Sequence, residues 1–103
     1  MVIRKGRKVT FHVYMLLCAD GSIYTGHTDN LKARFYAHQE GRFRGYTSTR
    51  RPVKLIFAED FNTRIEALEA EMRIKRWVRR KKFALQGWDW AEIKRLARGR
   101  DRQ

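Results

Sequence analysis

The 103-residue sequence has a single cysteine, Cys18, and a single proline, Pro52. One cysteine permits neither an intrachain disulfide nor a cysteine zinc site, and it suits a reducing compartment. Cys18 reads as a small buried residue of a strand. The three histidines, at positions 12, 27 and 38, do not have zinc-ligand spacing. No apolar run reaches 18 residues, which removes a transmembrane helix, and the opening MVIRKGRKVT lacks the continuous apolar stretch of a secretory signal. A cytoplasmic protein with no membrane partner is therefore expected. Acids are scarce too: 11 Asp and Glu stand against 24 Lys and Arg, leaving a net charge of +13. Self-repulsion of that size is tolerated mainly when an anionic partner is the usual company, and nucleic acid is the leading one. A membrane surface fits less well, because the positive residues are spread over several segments and no long interfacial helix collects them.

What is present suffices for one domain. A chain of this length buries roughly 60 to 65 % of its unfolded surface, and 43 % hydrophobic with 13 % aromatic residues supply a core. Residues 1–10 read as a flexible basic arm, 11–98 as a single domain and 99–103 as a disordered tail. Positions 11–18 and 22–28 alternate as strands, and T28-D-N supplies capping residues for a helix reaching His38. Glycines and Pro52 punctuate a loop over 41–52, and V53-K-L-I-F-A58 is a third strand. Thr63 and Glu66 have capping-box spacing ahead of a helix to about Lys82; Asp89 and Glu92 open a last helix through Arg98. The order is ββαβαα, an α/β (α+β) chain whose small sheet only its own helices can cover.

The hairpin V13-Y-M-L-L-C-A-D-G-S-I-Y-T-G-H-T28 carries Tyr14 and Tyr24, and the parity of its turn decides whether they share a face. A two-residue Asp20-Gly21 turn sends them to opposite faces. A three-residue loop, Ala19-Asp20-Gly21 with Gly21 left-handed, pairs Leu16 with Tyr24 and Tyr14 with Gly26. This second register is expected, because it gathers Val13, Met15, Leu17 and Ile23 into one apolar face. Read blandly, the tyrosines are ordinary strand residues.

Arg34 and His38 are one turn apart on the first helix, where a guanidinium and an imidazole can clamp a phosphate; singly, each is an ordinary surface residue. In the second helix Glu66, Glu69, Arg73, Arg76 and Arg80 form a solvated arc. Ile65, Leu68 and Met72 lie on one side of the opposite arc, Ala67, Ile74 and Val78 on the other, and Glu71 projects between them. A carboxylate there has to be paired, protonated or bound to a cation, and the candidates are a salt bridge to Lys75 and a Mg²⁺ or Mn²⁺ ion that keeps most of its waters. The run R73-I-K-R-W-V-R-R-K-K82 tracks a nucleic-acid backbone or merely faces water, with Trp77 packed on Phe83, Leu85, Trp88 and Trp90. The loop bearing Arg42, Arg44, Tyr46, Arg50 and Arg51 is the expected flexible contact surface.

Together V13-Y14, Y24-T-G26, Arg34, His38 and R64-I-E-A-L-E-A-E71 resemble the GIY-YIG nuclease superfamily, in particular its small single-domain YhbQ-like (UPF0213) branch, over about residues 11–82. The resemblance implies a three-stranded antiparallel sheet flanked by helices and a metal-dependent endonuclease that hydrolyses DNA phosphodiester bonds, with branched or flapped substrates and DNA repair or recombination as the expected setting. It implies that Glu71 holds the metal, Mg²⁺ or Mn²⁺, and Tyr24 accepts a proton from the attacking water. Arg34 would stabilise phosphate charge, and Tyr14 and His38 would position water or phosphate. Gly26, His27, Arg42, Arg44, Tyr46, Arg50 and Arg51 are the expected substrate contacts; His27 stands where several family members carry lysine. DNA is the expected partner, with RNA open; the chain is expected to be a monomer that uses no small-molecule cofactor, with room for a targeting protein as a further partner. The rival expectation is a nucleic-acid-binding module of the same fold with little or no catalysis.

Overall fold

The computed structural model describes residues 9–42, 44–80 and 90–98. Six elements follow in order: β1 (Phe11–Leu17), β2 (Ile23–Thr28), α1 (Leu31–Gln39), β3 (Lys54–Phe61), α2 (Arg64–Arg80) and α3 (Trp90–Arg98). The ββαβαα order is the expected one, and β3 runs three residues further than its sequence suggests, to Phe61. Most of the basic arm, the 99–103 tail, positions 81 and 82, Asp89 and the apolar partners Phe83, Leu85 and Trp88 lie outside the described residues, as do the side chains of Arg80, Glu92 and Trp90. None of the described helices is long and apolar enough to cross a membrane.

The sheet is antiparallel with strand order β2-β1-β3, so β1 is central and β2 an edge. The hairpin takes the three-residue form: Cys18 N–H bonds the Ser22 carbonyl at 2.9 Å, and Gly21 has φ +88°, which an L side chain resists. The register follows from that loop, with Leu16 opposite Tyr24 and Tyr14 opposite Gly26. Asn30 caps α1 by accepting from Ala33 N–H at 3.1 Å, and Thr63 caps α2 by accepting from Glu66 N–H at 3.1 Å.

Alternation along β1 sends Val13 and Met15 to one face of the sheet and Tyr14 and Leu16 to the other, and all four are buried. On the first face Val13 and Met15 pack with Ala67, Ala70, Ile74 and Trp77 of α2 and with Ile93 and Ala97 of α3. Trp77 is thus a core residue, the packing role weighed for it in the sequence. On the second face Tyr14, Leu16, Cys18 and Val53 meet Leu31 and Phe35 of α1.

The apolar arcs of α2 are resolved differently from the sequence reading. Ala67, Ala70, Ile74 and Trp77 face the sheet, whereas Ile65, Leu68 and Met72 are 67 %, 43 % and 49 % exposed. The small side chains of Ala67 and Ala70 let the helix approach closely, and Trp77 adds the largest apolar surface on that side. Those contacts draw the buried face away from Ile65, Leu68 and Met72. Arg73, expected in solvent, donates instead to the Leu96 and Ala97 carbonyls at 2.9 and 2.8 Å and so satisfies the end of α3.

Candidate functional site

The side chains singled out in the sequence fall into two groups that meet at the β2 edge. The first group lies on the α1 face. Because Tyr14 is opposite Gly26, its ring crosses the space that a side chain there would fill: a Cβ on Gly26 would lie 2.8 Å from the Tyr14 hydroxyl oxygen and 3.1 Å from the Tyr24 ring. The glycine is therefore a seat for two phenols. The rings of Tyr14 and Tyr24 are 6.2 Å apart between centroids, and that of Tyr24 is 4.9 Å from His38.

His38 is buried on the inner side of α1, where its Nε2 is 2.9 Å from the Tyr14 hydroxyl and its Nδ1 is 2.8 Å from Thr47 Oγ1. Arg34, one turn earlier, comes within hydrogen-bonding reach of Tyr14, as does Tyr24. Burial raises the Tyr14 pKa well above the usual phenol range; Tyr24 adds to the rise and Arg34 opposes it. Burial lowers the His38 pKa, and the Arg34 charge lowers it further. At neutral pH both groups are uncharged, and Arg34 supplies the positive charge of this cluster.

The second group lies on the α2 face. Glu71 is nearly buried, and both of its carboxylate oxygens are engaged: His27 Nδ1 lies 2.5 Å from Oε1, and Lys75 Nζ lies 2.7 Å from Oε2. The Lys75 bridge is the ion pair that the spacing allowed, and the His27 contact is an addition that only the register of β2 against α2 could bring about. Among the described residues no group of three or more His, Cys, Asp or Glu side chains is placed to hold a metal ion. In this arrangement the one carboxylate already has two partners, so a Mg²⁺ or Mn²⁺ ion on Glu71 would have to displace Lys75 or His27.

An edge strand lets two faces share one opening. Along β2 an open cleft of about 370 Å³ is lined by Ile23, Tyr24, Tyr46, Lys75, Val78 and Arg79. Tyr24 brings the ring cluster into this cleft, and Lys75 connects it to Glu71. Tyr14, Tyr24, Gly26, Arg34 and His38 thus stand together, while Glu71 and His27 are linked to the cleft only through Lys75.

The loop between α1 and β3 is fastened, contrary to its expected looseness. Gln39 bonds both the Val53 N–H and its carbonyl, each at 2.8 Å. Arg50 donates to Asp20 at 2.9 Å and to the Tyr46 carbonyl at 2.7 Å, with its guanidinium 4.0 Å over the Tyr46 ring. Arg51 donates to the Ser48 carbonyl at 3.1 Å, and Arg42 pairs with Glu40 at 2.5 Å. Arg42, Arg44 and Tyr46 are exposed. Tyr46 joins Tyr24 with ring centroids 6.2 Å apart. Sequence reading missed Thr47 and Gln39 altogether: a threonine and a glutamine near a loop carry no signal until the loop closes on His38 and Val53.

This chain belongs to the GIY-YIG family: the model of the GIY-YIG catalytic domain matches residues 10–84. Within the family its relatives are UPF0213 proteins. It is 45 % identical over 75 residues to one from Bacillus pumilus, covering 73 % of this chain and 76 % of that one. It is 49 % identical over 69 residues to one from Bacillus velezensis, covering 67 % and 70 %. The solution NMR structure of a UPF0213 protein from Bacillus halodurans is 34 % identical and covers 84 % of this chain and 96 % of its own, with a TM-score of 0.46.

Proposed function

We propose that this protein is a nucleic-acid-binding module that holds the phosphate backbone, DNA first and RNA second, in the cleft along β2. The observation that carries this reading is the state of Glu71. A bare carboxylate beside the cleft would repel phosphate, but His27 and Lys75 take up both oxygens, so the acid presents no free charge to a ligand. Lys75 and Arg79 line the cleft, and Arg34 adds positive charge beside Tyr14 behind it, within a chain of net charge +13. Tyr24 and Tyr46 add ring surface for bases, and Arg42 and Arg44 extend the positive surface along the loop.

The test is binding of a labelled DNA oligonucleotide at several salt concentrations. Going from 50 to 200 mM salt should weaken affinity about a hundredfold, as for about four phosphate contacts. Binding that ignores salt would count against a phosphate site.

A second reading, a divalent-metal-dependent endonuclease, draws on a separate observation: Tyr14, Tyr24, Arg34 and His38 form one hydrogen-bonded cluster at the cleft. In that reading Tyr24 accepts a proton from water, Arg34 balances charge on the phosphate, and Tyr14 and His38 order the water. It also requires Lys75 to leave Glu71. Incubation of plasmid and branched DNA with Mg²⁺ or Mn²⁺, comparing the native chain with Glu71→Ala, separates the readings. The module predicts no cleavage by either, and cleavage abolished by the substitution would establish the enzyme.

A further inference from the structure

Thr47 is buried, uncharged and bonded to the one histidine that faces the tyrosines. We propose that Thr47 is a positioning residue: its Oγ1 accepts the Nδ1 proton of His38 and so stabilises the tautomer, favoured by Tyr14 and Arg34, whose Nε2 lone pair receives the Tyr14 hydroxyl proton. The use of this arrangement rests on the cleft being the phosphate site, but its existence does not.

Three buried groups form an unbroken chain, Thr47 Oγ1 to His38 Nδ1 at 2.8 Å and His38 Nε2 to Tyr14 at 2.9 Å, and all three residues are 2 % exposed or less. A neutral imidazole has one N–H and one lone pair, so only two arrangements satisfy the chain. In one, Thr47 donates to Nδ1 and the Nε2 proton points at Tyr14. In the other, Tyr14 donates to Nε2 and the Nδ1 proton points at Thr47. A phenol, with an unperturbed pKa near 10, is a more acidic donor than an alkyl hydroxyl, and the ring lone pair is the strongest neutral acceptor present. The best donor and the best acceptor are therefore joined in the second arrangement. Arg34 points the same way: a guanidinium can only donate, so it takes up a lone pair of the Tyr14 oxygen and disfavours a second N–H aimed there. Burial keeps His38 neutral, so the choice of tautomer is real at physiological pH.

The consequence reaches the cleft. With its proton committed inward to His38, Tyr14 turns its oxygen lone pairs toward Arg34 and Tyr24. Tyr24, whose ring lies 6.2 Å from that of Tyr14 and which lines the cleft, is thereby packed against a phenol of fixed orientation. Thr47 also belongs to the segment that carries Tyr46 and Arg50, and its carbonyl accepts from Arg50 N–H at 3.0 Å. The basic loop and the orientation of the tyrosines are thereby joined through one hydroxyl.

Nitrogen-15 NMR of His38 at pH 7.5 tests this directly, because protonated and lone-pair ring nitrogens differ widely in chemical shift. The native chain should show Nδ1–H. Thr47→Ser, which keeps the hydroxyl, should match it, and Thr47→Val should shift the ring toward Nε2–H or a mixture. Finding Nε2–H in the native chain overturns the proposal, as does a ring unchanged by Thr47→Val; should that variant not fold, the native and Thr47→Ser spectra still decide. Oligonucleotide binding measured on the same samples keeps the two questions apart. Loss of binding with the expected tautomer would remove the cleft reading alone, and the wrong tautomer with intact binding would remove this inference alone.

Discussion

The two faces of the sheet are built from the same strand and do different work. On the α2 face Val13 and Met15 meet Ala67, Ala70, Ile74 and Trp77 in an apolar cluster, with the Glu71–His27–Lys75 contacts set beside it toward the β2 edge. On the α1 face Tyr14 and Leu16 are equally buried, but there Tyr14, His38 and Thr47 form a polar chain in which every atom has a partner. Burial on the first face drives folding. On the second it fixes protonation states and orientations, because a buried polar group holds only the geometry that satisfies it. One-residue alternation in β1 thus places an apolar cluster on one side and a buried polar chain on the other, and at the β2 edge Tyr24 from the α1 side and Lys75 from the α2 side line one cleft.

Substitutions can break or sharpen that division. The largest effect is expected from Ile74→Ala, which empties a fully buried position in the apolar face. It should cost about 3 kcal/mol in denaturant unfolding while leaving oligonucleotide affinity of the folded chain unchanged. Loss of affinity at full folding would dissolve the separation of the faces. Gly26→Ala should come next: the added Cβ meets Tyr14 and Tyr24 at 2.8 and 3.1 Å, so both rings must move. A stability loss of about 2 kcal/mol is expected from such overpacking, with a changed tyrosine signal in near-ultraviolet circular dichroism and weaker binding. Unaltered binding would remove the tyrosines from the site.

Tyr14→Phe should cost about 1 to 2 kcal/mol by removing the buried hydrogen bond between the Tyr14 hydroxyl and Nε2 of His38, measured by the same unfolding. A smaller effect concerns pH. The His38 pKa is lowered in the folded state, so the folded chain binds fewer protons than the unfolded one. The resulting stability is fully present above the unfolded pKa, about 6.5, and is lost as pH falls from there through the folded value. Unfolding at pH 7.5 and 5.5 should therefore show a loss on acidification that is reduced in His38→Asn; equal losses would mean that another group titrates. The smallest change is expected at Leu68, which is 43 % exposed: Leu68→Ser should move stability by no more than about 0.5 kcal/mol. A larger loss would show that the outer arc of α2 is covered.

Much of this arrangement was legible in the residue order. Element order, the left-handed Gly21, the pairing of Tyr14 with Gly26 and the Thr63 cap all follow from local rules, since turn parity and capping are decided within a few residues. Which arc of α2 is buried was not legible, because both arcs are apolar and the choice is made by the sheet and α3. The partners of Glu71 were half legible: Lys75 sits at i+4, whereas His27 is 44 residues away and arrives only through tertiary packing. Thr47 was hidden for the same reason, nine residues from His38 along a loop whose closure depends on Gln39 and Val53.

The most direct test of the central proposal, that with both Glu71 oxygens engaged by His27 and Lys75 the cleft holds phosphate without a metal ion, is fluorescence anisotropy of a labelled DNA oligonucleotide at fixed ionic strength with EDTA and then with Mg²⁺. The account predicts equal affinity in the two and intact oligonucleotide at the end. Binding that appears only with Mg²⁺ would contradict it.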